Sequence, residues 1–510
     1  MQWLNKIVAE LLERHKTGEI IVSSGVSPSG TYHLGTLREV LTAEIIAVEI
    51  RRRGRQARHI HVCDDLDVFR KVPVDVDESF EQYLGMPLCD VPSPDGKAAS
   101  YADYFVQALI DAAQEMKLSM EVVRAHEKYR SGYFVPAIET ALGNIAKIRS
   151  ILEEVSGRQL DEQWSPIQVI ENGRLKNRQF KSIDLEAKTI VYVSVDGEDV
   201  ELAYGEGKVK LNWRIDWPAR WALMGVHAEP FGRDHATKGG SYDTGRQIVQ
   251  KVFKGEAPYP VPYDFINKTG ETKKMSKSKG DVITAAQLLE LMPVEILWFF
   301  ILRSAPSKML YFDEQEALMK LFDDFAELLN KPDKTEGEQQ LLELCLHGVE
   351  TPTASNIPFT HLVASYQASL KDAEKTIEVI GRTEHKETAE KERETLVREL
   401  KFIDVWLQKS APEEVKFELQ EAIDAGAFHE AQRQYLAALA DKIAAAPADA
   451  EGEWFHKAIY DFKDQVELEP KQLFSTLYQA LIGKDSGPRA GWFLSLLPRD
   501  WLIARLRFQK

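Results

Sequence analysis

Glu19-Ile20-Ile21-Val22-Ser23-Ser24, followed by Gly25-Val26-Ser27-Pro28-Ser29-Gly30, decides the fold. The first six residues are a short apolar run ending in small side chains, the pattern of a buried parallel strand. The next six are a turn cluster. Leu34, Leu37, Leu41, Ile45 and Val48 then recur at three- and four-residue spacing and predict a helix, which Gly54 ends. Residues 57–63 predict a second strand running into Asp64-Asp65-Leu66-Asp67. Strand, glycine turn, helix, strand is the opening unit of a nucleotide-binding α/β sheet, whose ligands sit beyond the carboxyl ends of the strands. His33 and the acids of residues 64–67 fall on that edge.

Outward from this unit, residues 75–100 read as loop and residues 101–155 as helices, with Tyr101, Phe105, Leu109 and Ala112 on one stripe. Residues 165–211 hold short alternating runs separated by Asn-Gly and Asp-Gly, which predict antiparallel hairpins. The α/β pattern resumes at Trp213-Arg214-Ile215-Asp216-Trp217 and continues through Gly232-Arg233-Asp234-His235 and Tyr263. Glycine there allows close approach of backbone to a flat base, and an acid can take ribose hydroxyls. Beyond about residue 315 no strand pattern remains and helical spacing dominates. The expected organisation is therefore residues 1–150 and 212–315 as two halves of a Rossmann-type parallel-sheet domain, residues 151–211 as a small antiparallel insertion, and residues 316–510 as an all-α domain.

Composition narrows the class of activity. The chain has 510 residues, 44% hydrophobic and 28% charged, as in a soluble globular protein, and no apolar run of bilayer-spanning length. A net charge of −16 argues against general coating of DNA or RNA and leaves local basic patches such as residues 51–58. Three widely spaced cysteines make neither a disulfide framework nor a zinc site, so a reducing cytoplasm is expected.

The segment with the sharpest chemistry is Lys274-Met275-Ser276-Lys277-Ser278, between Gly270 and Gly280. Ammonium groups there suit an anion whose charge shifts between phosphate oxygens during reaction. Paired with Pro28-Ser29-Gly30-Thr31-Tyr32-His33-Leu34-Gly35-Thr36, it resembles the two signatures of class I aminoacyl-tRNA synthetases, HIGH and KMSKS. The second matches letter for letter, the first at His33 and Gly35. Residues 59–73, 213–221, 232–235, 241–245 and 474–489 are similar to the class I lysyl-tRNA synthetases in particular.

That resemblance implies ATP-dependent activation of L-lysine and its transfer to the 2′-hydroxyl of tRNA(Lys), with Mg²⁺ held mainly by the phosphates, a helix-cage domain for the anticodon, and no membrane or DNA partner. It implies His33, Thr36, Lys274 and Lys277 in catalysis. Pro28, Gly30, Gly35, Gly232, Asp234, Met275, Ser276 and Ser278 would hold ATP. Gly25, Ser27, Trp217, His235 and Tyr263 would line the lysine pocket. The carboxylate for the lysine side chain is sought among Asp64, Asp65, Asp67 and Asp216, with Asp65 and Asp216 put forward. Trp492, Trp501, Arg489, Arg499 and Arg505 fit RNA contacts and helix packing equally.

Two departures from the family pattern stand out. Thr36 replaces a second histidine or an asparagine, and it still offers a hydrogen bond. Residues 94–100 and 151–211 lack the Cys and His ligands that archaeal relatives place there, so no zinc is expected. Glutamyl-type specificity and a small-molecule nucleotidylyltransferase are the alternatives. A non-catalytic RNA-binding paralogue is the third reading.

Overall fold

Residues 20–26 alternate little and are buried along most of their length because both faces of the strand they form are covered. In the computed structural model, which describes residues 1–157, 159–270, 282–420, 422–447 and 450–509, this strand is β1 (Ile20–Val26). Helix α1 (Gln2–Arg14) precedes it, and helix α2 (Leu34–Arg52) follows it. α2 is buried on nearly every side, and its interior acids are matched by neighbours, as a helix under a sheet requires. Next come β2 (Ala57–Cys63) and, after helix Tyr101–Glu115, the short strand β3 (Glu121–Arg124). The sequence reading made residues 101–155 wholly helical. Four residues at a sheet edge carry too little alternation to reveal β3.

The insertion is antiparallel: β4 (Ile167–Glu171), β5 (Arg174–Lys176), β6 (Phe180–Asp184), β7 (Thr189–Val193), β8 (Asp199–Ala203) and β9 (Val209–Leu211). They form two three-stranded sheets, ordered β5-β4-β9 and β6-β7-β8. Asn172 and Gly173 both take positive φ at the first hairpin, where such residues are needed. Helix Trp213–Met224 leads back to β10 (Val226–Gly232) and β11 (Tyr259–Tyr263). The main sheet is ordered β11-β10-β1-β2-β3 and every pairing in it is parallel. Strand order thus reverses between β1 and β10, which opens a crevice at their carboxyl ends. A parallel pair, β12 (Ile266–Lys268) and β13 (Leu310–Phe312), flanks residues 282–309.

Two compact units result. The first comprises Met1–Leu289, Leu297–Phe312 and Thr335–Gly348, the second Glu290–Ile296, Asp313–Lys334 and Val349–Lys510. The boundary expected at 315/316 is therefore crossed. Helix Glu336–Cys345 belongs to the first unit because Gln340 receives hydrogen bonds from the Met1 amino group (3.0 Å) and Asn5 (3.1 Å), and Glu343 pairs with Arg52. Among its described residues the second unit is helical, with Trp406, Tyr435, Leu477 and Phe493 wholly buried.

Candidate active site

His33 is the residue from which α2 starts. It caps that helix, its Nδ1 accepting the Gly35 N–H at 3.0 Å. An accepting Nδ1 places the ring proton of a neutral imidazole on Nε2, which makes the far side of the ring a donor. Gly35 is needed for this: a Cβ there would stand 2.9 Å from His33 Cε1. Backbone pairing then ties His33 to residues far along the chain. His33 bridges Thr284, and Leu34 N–H donates to the Ile283 carbonyl at 3.1 Å. Residues 282–284 are the first described residues after the lysine-rich segment, so the chain returns from it directly beside His33. Lys274, Met275, Ser276, Lys277 and Ser278 themselves lie outside the described residues.

Arg38, one turn further along α2, fixes the same region from beneath. Its buried guanidinium donates to the carbonyls of Phe265 (3.1 Å), Pro306 (2.9 Å) and Lys308 (2.5 Å), locking α2 to the stem of β12. Burial lowers its pKa to about 10, which leaves it charged at neutral pH. Pro28 and Gly30 are buried in the turn after β1, and Thr36 is buried in the first turn of α2 with its N–H on the His33 carbonyl.

The crevice side of β1, β10 and β11 gathers most of the expected pocket residues around two carboxylates that the sequence did not single out. Glu39, half-buried on α2, accepts Gly25 N–H at 2.9 Å and Tyr263 O–H at 2.6 Å. Glu229, on β10 and 7% exposed, accepts the indole N–H groups of Trp217 (3.0 Å) and Trp221 (2.5 Å). Burial pushes each carboxyl up to about 7 against the hydrogen bonds it accepts, and the charge of Glu39 raises Glu229 further. Trp217 meets Phe231 edge-on at 5.5 Å and His235 at 5.7 Å, and His235 also meets Trp213 at 5.7 Å. Gly232 pairs with Tyr263 across β10 and β11. A side chain at Gly232 would run into Asp234 Oδ1 at 2.6 Å, and Asp234 itself is exposed. Gly25 and Tyr263 thus meet at Glu39, and Trp217 meets His235. Ser27 stands apart, donating to Asp67 at 2.8 Å.

Asp65 and Asp216, put forward for the lysine side chain, are each engaged within the fold. Asp65 is fully buried and accepts from Arg124 Nε (2.6 Å), His126 N–H (2.8 Å) and His126 Nδ1 (2.6 Å). Those partners come from the unexpected strand β3 and from helix Ala125–Arg130 directly after it. Asp216 is buried with Tyr129 O–H at 2.5 Å and in an ion pair with Arg220. Arg220 also reaches Asp64 at 3.0 Å, and Lys210 of β9 pairs with Asp64 at 2.8 Å. Two acids and two bases neutralise each other there, fastening the insertion and helix Trp213–Met224 to the end of β2. Asp64→Asn should therefore cost about 3–5 kcal/mol, since it strands buried cations. The drop in the denaturant midpoint measures it.

The basic run 51–58 is likewise consumed internally. Arg51 pairs with Glu44, Arg53 with Glu49 and Arg58 with Glu121, while Arg55 donates to the carbonyls of His15 and Gly18. Among the described residues no three His, Cys, Asp or Glu side chains converge as a metal-ligand set. The segment expected to lack zinc is organised by Asp95, which accepts Lys97 N–H at 2.9 Å and Ala98 N–H at 3.2 Å. No single helix among them is long and apolar enough to cross a membrane.

A parallel sheet with a histidine-capped helix after its first strand, and residues 282–284 bridged to that histidine where the chain resumes after the lysine-rich run, are features expected of a class I aminoacyl-tRNA synthetase. Residues 1–350 match the family described as tRNA synthetases class I (K), and residues 390–509 match an anticodon binding domain. The chain is 36% identical to lysine--tRNA ligase 1 of Methanosarcina acetivorans over 99% of this chain and 98% of that protein. It is 35% identical to the lysine--tRNA ligase of Archaeoglobus fulgidus over 99% of each. The chain belongs to the class I (K) tRNA synthetases.

Proposed function

We propose that the protein activates L-lysine with ATP and esterifies it to tRNA(Lys), and that the crevice around Glu39 is where lysine is chosen. The observation that carries the specificity is the pairing of Glu39 and Glu229 with the aromatic walls of Trp217 and Tyr263. A flexible aliphatic stem lies well against aromatic faces, and an ammonium is attracted both by those faces and by a carboxylate. A glutamate side chain would meet like charge instead. The cation that acts on Glu229, Arg220, is already held by Asp64 and Asp216. Glutamyl-type specificity is therefore disfavoured.

In the first step a lysine carboxylate oxygen bonds to the α-phosphorus of ATP while the bond to the β-phosphate oxygen breaks, releasing pyrophosphate. His33 donates from Nε2 to the phosphoryl oxygens as charge spreads over them, and the amino end of α2 adds its dipole. Lys274 and Lys277 hold the departing phosphates, with Met275, Ser276 and Ser278 beside them. Pro28, Gly30, Gly35, Thr36, Gly232 and Asp234 shape the nucleotide's seat. The donors about the first turn, backbone N–H groups and an imidazole, suit phosphate oxygens and not a divalent cation. Mg²⁺ would thus be held by the phosphates, where it supplies charge neutralisation. In the second step the terminal 2′-hydroxyl of the tRNA attacks the lysyl carbonyl and AMP leaves. Gly25, Ser27 and His235 complete the amino-acid pocket, and the cytoplasm is the compartment that supplies these substrates. The deciding assay is charging of tRNA(Lys) with lysine against glutamate. Preference for glutamate would refute the reading.

A further inference from the structure

On the face of the main sheet that α2 covers lies a row of polar side chains that the proposed chemistry leaves unused. His59, His61 and Cys63 alternate along β2 and so share one face, while Ile60 and Val62 on the other pack with Trp221 and Val226. Ser24 of β1 stands opposite His61. The Ser24 hydroxyl lies 2.8 Å from His59 Nε2 and 2.8 Å from His61 Nδ1. Glu44 of α2 closes the far end, its Oε2 2.8 Å from His59 Nδ1. Ser24, Glu44, His59 and His61 are each at most 2% exposed. Apolar groups of similar volume would hold such an interior at least as well, so stability alone does not account for the row.

The hydrogen positions follow from the Glu44 end. Glu44 Oε1 accepts Ser119 N–H at 3.1 Å, Ser119 O–H at 2.6 Å and Arg51 at 3.2 Å. Burial works against the Glu44 charge, yet the hydrogen bonds from His59 and Ser119 hold its pKa down at about 2, so it is a carboxylate. An acceptor at Oε2 puts the His59 proton on Nδ1. With neither ring charged, His59 Nε2 then accepts the Ser24 O–H, and Ser24 Oγ accepts His61 Nδ1–H. His61 is left with a bare Nε2, buried and without a hydrogen-bond partner. Burial drops the His61 pKa to about 3, so this ring stays neutral. Its neighbour is the buried Tyr32, ring centroids 6.2 Å apart. Tyr32 immediately precedes His33, and its carbonyl accepts the Ala285 N–H, beside the bridge from His33 to Thr284.

We propose that Glu44, His59 and Ser24 are positioning residues for lysine activation: they fix the His61 proton on Nδ1, and the bare Nε2 keeps Tyr32, and with it the His33 backbone, where adenylate formation needs them. Reversing the row would turn His61 Nε2 into a buried N–H with no acceptor, which is relieved by displacing the neighbouring ring. The inference rests on the reading of the protein as an ATP-dependent lysine-activating enzyme.

Glu44→Gln tests the row with almost no change of shape. Oε1 must remain an oxygen for the Ser119 N–H, so the amide NH2 faces His59 Nδ1, and each proton moves one place to leave His61 protonated on Nε2. Nitrogen NMR of the imidazoles in the full enzyme, with His61 assigned from His61→Gln, should show the Nδ1–H tautomer in the wild type and the Nε2–H tautomer in Glu44→Gln. In lysine-dependent exchange of pyrophosphate into ATP, Glu44→Gln should lower kcat about tenfold with KM for lysine unmoved, as expected for a displaced reacting group. Ser24→Ala cuts the row between the rings and should show the same fall, and adding Glu44→Gln to it should cost nothing more. An Nε2–H His61 in the wild type overturns the proposal, whether or not the variants fold. So does an unchanged kcat in Glu44→Gln, or losses that multiply in the double variant. A wild-type enzyme that exchanges no pyrophosphate in the presence of lysine refutes the functional reading instead, and the tautomer measurement is unaffected by that result.

Discussion

Glu39→Gln should raise the KM for lysine by about a hundredfold or more while changing kcat far less. The substitution keeps shape and an acceptor for Gly25 N–H, so the crevice survives. What it removes is the negative charge that faces an ammonium in a partly desolvated site, and losing one member of such a pair costs about 2–5 kcal/mol. Each 1.4 kcal/mol is a factor of ten. Loss confined to uniform binding appears in KM, whereas loss of transition-state contacts appears in kcat. A parallel fall in kcat with KM unmoved would take Glu39 out of lysine recognition.

The same carboxylate gives a pH signature with two opposite signs. In the free enzyme Glu39 and Glu229 titrate near about 7 instead of 4.5, because burial disfavours the charged form. Between those values the folded protein binds protons that the unfolded chain has released. These groups therefore add stability as pH falls through that window and withdraw it as pH rises. Lysine needs the ionised form, so its affinity should fall as pH drops below about 7. Thermal unfolding and lysine KM measured from pH 8 to pH 5 should move apart, and Glu39→Gln should flatten most of the KM dependence.

Glu39 and Glu229 also show where sequence reading stops. The first strand, its turn and α2 were legible because their periods and punctuation are local. The hairpins were legible from Asn172-Gly173 and Asp196-Gly197, where each glycine takes positive φ. Glu39 lies among Leu34, Leu37 and Leu41, and there a single acid reads as part of a solvated face. Its partners are 14 and 224 residues away. Only the order β11-β10-β1 brings them together. A faint signal existed at Glu229, an acid inside a strand between Ala228 and Phe231, since charge in such a run needs a buried partner. Asp65 shows the converse. It lies on the right edge of the sheet, but β3, too short to be read, supplies the Arg124 that takes it up.

Lys277→Ala should lower kcat for lysylation by about 10²–10³-fold, the scale on which one placed donor to a developing anion acts. KM for lysine and the melting temperature should stay where they are, because the amino-acid crevice and the sheet are built from other residues. Lys277 lies outside the described residues. It precedes Thr284 by seven positions in the chain. Thr284 in turn bridges His33 at the start of α2. Arg38 ties the same helix to the Phe265 carbonyl beside β12. Substituting His33 should act on the same step, so His33→Ala and Lys277→Ala together should cost less than the product of their separate effects. Fully multiplicative losses would mean that the two groups serve different steps, and the single-triphosphate arrangement would have to be abandoned.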